Sequence, residues 1–175
     1  IGGYTQMFDK WLSGIEVVLD TPFDPSFYNL AKRRLVYSGP IDGYFQYSLG
    51  PLEYRSLRFE HTRMEGDFQG NAVINHTGLK DKCTRVIEHK HFENPEQYNT
   101  IVSSEYPDNW SISKVPYYPI VTDNNLELYK KYKELGDKDP KTLFGGRLGT
   151  YKYYDMHQVI ASALNYVKNI DPKEN

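Results

Sequence analysis

Four strand-like segments follow one another in the middle of this 175-residue chain, with turn residues and no helical pattern between them. They occupy residues 54–63, 71–76, 84–92 and 100–106. Strands that are joined by short turns pair antiparallel, because a parallel pair needs a longer crossover connection. The sequence therefore predicts an antiparallel sheet of the meander type within residues 51–120.

The segments on either side of this block alternate between helical and extended patterns. Before it, the pattern predicts a helix at 5–12, a strand at 15–19, a short helix at 26–32 and a strand at 34–37. After it, the pattern predicts a helix at 124–135, a strand at 142–144 and a final helix at 156–170. The predicted fold class is therefore α+β, an antiparallel sheet flanked by helix and strand units.

The final helix has the clearest start. Asp155 is a natural N-cap, and Gln158, three residues later, completes a capping box. The apolar residues recur at helical spacing, so we expect them to form one buried stripe. The stripe consists of Val159, Ile160, Ala163, Leu164 and Val167.

The composition excludes several classes of protein. With 21 Lys and Arg against 23 Asp and Glu, the chain has no excess of basic residues and is not expected to bind nucleic acid. An aromatic content of 15% is too high for a disordered chain. The single cysteine, Cys83, excludes a disulfide framework. No apolar run approaches the ~18 residues of a membrane span, so we expect no membrane association.

Tyrosine is unusually frequent, with 16 residues against 8 phenylalanines. A tyrosine packs like other aromatic residues, but its hydroxyl needs a hydrogen-bond partner. Two explanations are open. The tyrosines could occupy half-exposed positions on the sheet, or some of them could line a polar pocket.

A glycine turn between the last predicted strand and the final helix is the strongest local signal for a ligand site. Gly145 and Gly146 allow close approach of a ligand to the backbone, and Arg147 adds a cation beside them. The free N–H groups at a helix start favour an anion or a carbonyl oxygen. An ordinary turn between strand and helix would also explain the glycines. The spacing does not match the dinucleotide-binding fingerprint.

Arg85 lies in the middle of a predicted strand, where an arginine needs a partner. It could bind phosphates through paired hydrogen bonds. It could equally form a cross-strand ion pair with a residue such as Glu60 or Glu88.

His89 and His91 fall on one face of the same predicted strand, as a metal pair would. No third ligand follows at a diagnostic spacing, so we expect no metal site. Cys83 is predicted to be a small buried hydrophobic residue.

A set of motifs in constant order goes beyond these local signals. They are GGYT at 2–5, YSGPID at 37–42, LEYRSL at 52–57, QGNAVIN at 69–75, TRVIEHKHF at 84–92, PYYP at 116–119, FGGRL at 144–148 and YKYYDMHQV at 151–159. Together they resemble the bacterial UDP-galactopyranose mutase family, and the resemblance is to its C-terminal half. Members of that family interconvert UDP-galactopyranose and UDP-galactofuranose, which makes them isomerases.

The resemblance implies roles for particular residues. Arg85 matches an arginine that binds the substrate diphosphate and stabilises charge. The resemblance implies no amino-acid residue as the catalyst, because in that family a flavin cofactor has this role. Tyr118 and Tyr153 match tyrosines that contact the same phosphates, and Asn75 matches an asparagine that contacts the substrate. Arg55 matches a recurrent arginine to which we assign no role.

The resemblance also implies FAD as the cofactor, active in its reduced form. In that family, N5 of the reduced flavin attacks the anomeric carbon of the sugar as UDP leaves. The sugar ring opens and recloses in the other ring size, and UDP adds again, so that no net oxidation occurs. Arg147 matches an arginine beside the flavin, and Val17 matches a position that meets the adenine end through its main chain. The residues expected at the polar edge of the flavin ring are Tyr154, Asp155, Met156, His157, Gln158 and Val159.

The resemblance divides the chain into three parts. Residues 1–50 and 121–175 would be pieces of an FAD-binding domain, and 51–120 would be the sheet domain. The family's glycine-rich βαβ unit and its helical lid have no counterpart in these residues, so we expect this chain alone to be inactive and to bind FAD weakly. The expected partner is UDP-galactose, in a cytoplasmic parent protein that could be a homodimer.

Two other functions are compatible with parts of the sequence. A related FAD-dependent oxidoreductase of the amine-oxidase-like superfamily would share the glycine regions, but it would not need Arg85, Tyr118 and Tyr153 together. A non-catalytic carbohydrate-binding β module would explain the tyrosines and the sheet, but not the flanking helix and strand units.

Overall fold

The computed structural model describes residues 3–93 and 96–170. Its helices are α1 (Gly3–Trp11), α2 (Phe27–Leu30), α3 (Ile41–Tyr44), α4 (Lys90–Glu93), α5 (Asp123–Gly136), α6 (Gly146–Gly149) and α7 (Met156–Ile170). Its strands are β1 (Leu35–Tyr37), β2 (Tyr54–Glu65), β3 (Val73–Asn75), β4 (Arg85–Glu88), β5 (Asn99–Asn109), β6 (Tyr118–Pro119) and β7 (Thr142–Phe144). The fold is mixed α and β with an antiparallel sheet, as predicted.

The chain divides into two compact units, each built from two separate segments. The first contains the described residues of 1–23 and 58–107, and the second those of 24–57 and 108–175. Strand β2 begins in the second unit and continues into the first. The predicted division at residues 50 and 120 remains a prediction about domains of the parent protein.

The first unit contains an antiparallel sheet. Strands β3, β4 and β5 are consecutive neighbours, with Asn75 opposite Arg85 and Arg85 opposite Glu105. Strand β2 lies beyond β5, so the order is β3-β4-β5-β2. The predicted simple meander is therefore wrong for β2. The segment between β2 and β3 passes to the far side of β4 and β5 instead of forming a tight hairpin.

The second unit contains a pair of parallel strands. Strand β1 pairs with β7 over Leu35–Thr142, Val36–Leu143 and Tyr37–Phe144. The first residues of β2 pair with β6. Thr122 caps the start of helix α5, because its hydroxyl accepts a hydrogen bond from the Asn125 N–H.

Tyrosines form much of the core of the second unit. The fully buried hydrophobic side chains of its core are Ile41, Leu52, Tyr54, Tyr132 and Tyr151. Tyr54 donates to the Asp42 carboxylate, and Tyr132 and Tyr151 donate to main-chain carbonyls. A buried polar group is tolerated when it is hydrogen-bonded. The tyrosine excess is therefore explained partly by a core in which ring burial is combined with hydroxyl hydrogen bonds.

Three local predictions are wrong. Residues 15–19 belong to neither a helix nor a strand, and Val17 and Val18 are exposed. Strand β4 ends at Glu88, because residues 90–93 turn into helix α4. The apolar stripe of α7 is mostly exposed, with Ile160 at 39%, Leu164 at 57% and Val167 at 70%. Among the described residues, only its first part, at Val159 and Ile160, is partly covered, although the helical spacing of the stripe is as predicted.

No helix among the described residues combines the length and the apolar content that crossing a bilayer requires.

Candidate functional site

Arg85 and Asn75 lie together in the first unit. Antiparallel pairing of β3 and β4 places them directly opposite each other, and Arg85 Nε donates to Asn75 Oδ1 at 3.0 Å. On the other side of β4, Nη1 of Arg85 lies 3.6 Å from Oε2 of Glu105 on β5. The guanidinium is thus held between two strands, while 46% of the Arg85 side chain stays exposed.

Glu105 is the residue that the sequence did not identify. Its side chain is nearly buried, and the Thr84 hydroxyl donates to its carboxylate and its main-chain carbonyl. Of the two partners proposed for Arg85, Glu60 instead pairs with Arg58, and Glu88 points to the buried side of β4. Arg85 therefore forms the predicted cross-strand ion pair. Its partner is Glu105 because the register of β4 and β5 places them opposite each other, and local sequence patterns do not give that register.

This arrangement suits the binding of an anion. Arginine has five N–H donors in a planar fork that matches a phosphate or a carboxylate. Asn75 fixes the Nε side of the fork, so the exposed part of the guanidinium is already oriented. Arg85 therefore has a cross-strand partner and is also available to a ligand.

Arg147, Tyr153 and Tyr118 form a second cluster, in the second unit. The guanidinium carbon of Arg147 lies 4.6 Å from the centre of the Tyr153 ring, and Nε donates to the main-chain oxygen of Tyr154 at 2.6 Å. The rings of Tyr153 and Tyr118 meet edge to face, with 5.6 Å between their centres. Three residues predicted for two different ligands therefore lie together.

The glycine turn shapes one side of this cluster. Gly146 has φ +70°, a conformation that other residues adopt only with strain. At Gly145 an added Cβ would have no atom within 4 Å, so its main chain borders open space. The adjacent Tyr37 is half-buried, and this partial burial, together with the nearby Tyr47 and Asp42, raises its pKa to about 12. The phenol of Tyr37 therefore stays neutral beside the turn.

Helix α7 begins where the sequence predicts. Gln158 accepts a hydrogen bond from the Asp155 N–H at 2.8 Å, which is half of the predicted capping box. The N–H groups of Gln158 and Val159 donate to the Asp155 carbonyl. The first N–H groups of a helix have no partner inside it, so they can serve an external acceptor. Residues Tyr154 to Val159 thus form a continuous segment next to Arg147.

Val17 belongs to the first unit and is 51% exposed, in a segment without regular structure. Its predicted strand is absent among the described residues. The adenine contact expected there through the main chain remains a prediction.

His89 and His91 do not form a pair. His89 Nε2 contacts the Ser103 hydroxyl at 2.7 Å, and His61 Nδ1 contacts the same hydroxyl at 2.7 Å. His91 turns away to Asp67 and Glu88. The two imidazoles diverge because β4 ends at Glu88, before both of them, and the chain turns there into helix α4. Cys83 is half-buried, so its predicted burial is only partial.

Comparison with known proteins identifies the class of the chain. A family model described as UDP-galactopyranose mutase matches residues 1–153. A Klebsiella pneumoniae protein named "Probable UDP-galactopyranose mutase" is 36% identical, over 93% of this chain and 43% of its own length. The UDP-galactopyranose mutase of Mycoplasma genitalium is 33% identical, over 96% of this chain and 46% of its own length. A dTDP-fucopyranose mutase of Escherichia coli is 33% identical, over 78% of this chain and 38% of its own length.

These relatives are sugar-nucleotide mutases, which are isomerases. The chain belongs to the UDP-galactopyranose mutase family. It spans less than half the length of these curated relatives.

Proposed function

We propose that this chain is part of an enzyme that interconverts UDP-galactopyranose and UDP-galactofuranose with reduced FAD. The observation that carries the proposal is the clustering of Arg147, Tyr153 and Tyr118 beside an open glycine turn, in a chain that belongs to this family. The oxidoreductase alternative is not favoured by the family match, and neither is the binding module.

Arg85 and Asn75 would bind the substrate diphosphate. The Arg85 guanidinium is held by Asn75 and Glu105 and remains half exposed, so little side-chain entropy is lost when a phosphate binds. Charge grows on the diphosphate when its bond to the sugar breaks. A fixed cation stabilises that charge more in the transition state than in the ground state.

Tyr118 and Tyr153 would donate hydrogen bonds to phosphate oxygens of the substrate. Their edge-to-face contact restricts both rings, and the Arg147 guanidinium on the Tyr153 ring restricts it further. A preoriented phenol loses less freedom on binding than a mobile one. These roles and those of Arg85 and Asn75 are proposals that follow from the family resemblance.

The residues present fit a flavin at the glycine turn. Gly145 leaves open space over its main chain, and α7 supplies N–H groups for a carbonyl oxygen. We assign the cation beside the flavin to Arg147 and the polar edge to Tyr154, Asp155, Met156, His157, Gln158 and Val159. The Val17 main chain would meet the adenine. When bound, the reduced flavin supplies the nucleophile for the anomeric carbon, while the protein binds, orients and excludes water.

Three further properties of the parent protein belong to this proposal. They are a division into FAD-binding parts at 1–50 and 121–175 around a sheet domain at 51–120, a cytoplasmic location, and a homodimeric state. Because a dTDP-fucopyranose mutase is also similar to this chain, the identity of the nucleotide and that of the sugar each need a direct test.

The test is turnover by the longer parent protein with dithionite-reduced FAD. We expect UDP-galactofuranose to be converted to UDP-galactopyranose, with little conversion of dTDP-fucofuranose. Arg85→Ala should lower kcat/KM by about 10²–10³-fold. The matched control is Arg58→Lys, on the same sheet, which should change it less than twofold. Preferred conversion of the dTDP sugar would contradict the proposed UDP-galactose substrate. Turnover without flavin would contradict the proposed mechanism.

A further inference from the structure

Asp67, Glu88 and His91 form a cluster in the first unit that takes no part in the proposed reaction. Asp67 follows β2, Glu88 ends β4, and His91 lies in α4, three residues after Glu88. One ligand atom from each residue falls within a common span of 4.8 Å. The sequence did not reveal this cluster, because Asp67 is more than twenty residues away from the other two.

The spacing of these atoms matches a metal coordination sphere. His91 Nε2 lies 3.2 Å from Asp67 Oδ2 and 3.3 Å from Glu88 Oε2. Zinc and similar ions bind such ligands at about 2.0–2.2 Å, which places neighbouring ligand atoms roughly 3.0–3.5 Å apart. An ion between the three residues would need only small movements of the side chains.

Main-chain groups orient both carboxylates. Glu88 is fully buried and accepts hydrogen bonds from the N–H groups of Phe68 at 3.1 Å and Gln69 at 2.8 Å. Asp67 accepts one from the Gly70 N–H at 2.6 Å. Such outer contacts hold metal-binding carboxylates in place. The half-exposed Asp67 gives an ion a path from solvent.

The charge balance around the cluster favours binding of a cation, but only with moderate affinity. Two carboxylates face one fixed ammonium, that of Lys90, which lies 3.5 Å from Asp67 and donates to the Gly66 carbonyl at 2.9 Å. With a neutral imidazole, the three residues of the cluster and Lys90 together carry one net negative charge. Lys90 offsets part of the attraction for a divalent ion, so we expect micromolar rather than tighter binding.

We propose that Asp67, Glu88 and His91 bind a divalent d-block cation such as Zn²⁺. An imidazole with two carboxylates favours these ions over Mg²⁺, which prefers oxygen ligands. The ion would fasten the loop at 66–70 to the end of β4. This proposal does not depend on the mutase activity.

The test is a titration of the metal-free 175-residue chain with Zn²⁺, followed by calorimetry, and with Co²⁺, followed by visible absorption. We expect saturable binding of one ion and no comparable binding of Mg²⁺. His91→Gln and Asp67→Asn should each weaken Zn²⁺ binding at least tenfold. His89→Gln is the matched control, since His89 contacts Ser103, and should change the affinity less than twofold.

Absence of saturable Zn²⁺ binding by the wild-type chain would overturn the proposal. The same holds if His91→Gln or Asp67→Asn binds Zn²⁺ as tightly as the wild type. In either case the cluster is an ion-pair network that involves Lys90 and no metal. Circular dichroism of each variant distinguishes lost ligation from lost folding, and the half-exposed Asp67 is the position least expected to disturb the fold.

Discussion

Arg85 and Asn75 face each other across β4 and β3, and Arg85 Nε donates to Asn75 Oδ1 at 3.0 Å. Two residues that the family resemblance assigns to the substrate are thus also partners of each other. The pairing couples their proposed roles, because removing one changes the position of the other. It leads to a prediction about both residues together.

Asn75→Ala in the parent protein should lower kcat/KM by about tenfold, because Arg85 loses a contact that orients its guanidinium. In an Arg85→Ala background, the same substitution should lower kcat/KM much less. A double-mutant cycle of steady-state turnover measures the difference. Additive effects would mean that Asn75 acts on the substrate independently of Arg85.

Tyr153 should have two separable roles in the parent protein. Tyr153→Phe keeps the ring under the Arg147 guanidinium but removes the hydroxyl, so KM should rise while FAD affinity stays within about twofold. Tyr153→Ala removes both, so it should also weaken FAD binding, by roughly 3–5-fold. Flavin fluorescence and steady-state kinetics separate the two effects. Equal flavin affinity in both variants would contradict a role of the ring in positioning Arg147.

Tyr151→Phe should destabilise the chain by about 1–3 kcal/mol. The buried Tyr151 hydroxyl contacts the main-chain carbonyl oxygens of Glu53 at 2.6 Å and Ile120 at 2.9 Å. The substitution removes this hydroxyl and so leaves both carbonyls without its hydrogen bond. Urea unfolding of the 175-residue chain measures the change. The control is Tyr98→Phe, whose exposed hydroxyl contacts Glu65 at 3.3 Å and should contribute less than about 0.5 kcal/mol. Equal losses in the two variants would argue against the importance of the buried pair.

Asp139 should contribute to stability at neutral pH and lose its contribution in acid. Partial burial raises its pKa, but hydrogen bonds from the Thr142 hydroxyl, from the N–H groups of Lys141 and Thr142, and from Tyr28 outweigh this, so that the pKa is below its usual 3.8. Since the folded pKa is lowered, the stabilisation is complete above pH 3.8 and disappears as the pH falls through the folded pKa.

Asp139→Asn should therefore destabilise the chain by roughly 1–3 kcal/mol at pH 7 and by little near pH 2. Urea unfolding of both proteins across this range measures the difference. A difference that does not change with pH would show that the carboxylate charge has no role. The control is Asp81→Asn, which removes an exposed carboxylate and should change the stability at pH 7 by less than about 0.5 kcal/mol.

Local sequence determined much of this protein. The 3.6-residue period and the Asp155–Gln158 pair placed α7 at its observed start, because these signals depend only on neighbouring residues. The short strands β1 and β7 also fell where their patterns predicted. The family was recognisable from ordered motifs, since such motifs are a property of the sequence alone.

Tertiary structure decided the rest. Register selected Glu105 as the partner of Arg85, and the turn after Glu88 separated His89 from His91 and brought His91 to Asp67. The stripe of α7 and the segment at 15–19 have suitable patterns, but among the described residues most of the stripe stays exposed and no strand pairs with 15–19. Periodicity predicts which face of a segment can be buried. Only contacts between residues that are distant in sequence decide what buries it, because burial and strand pairing need a second surface.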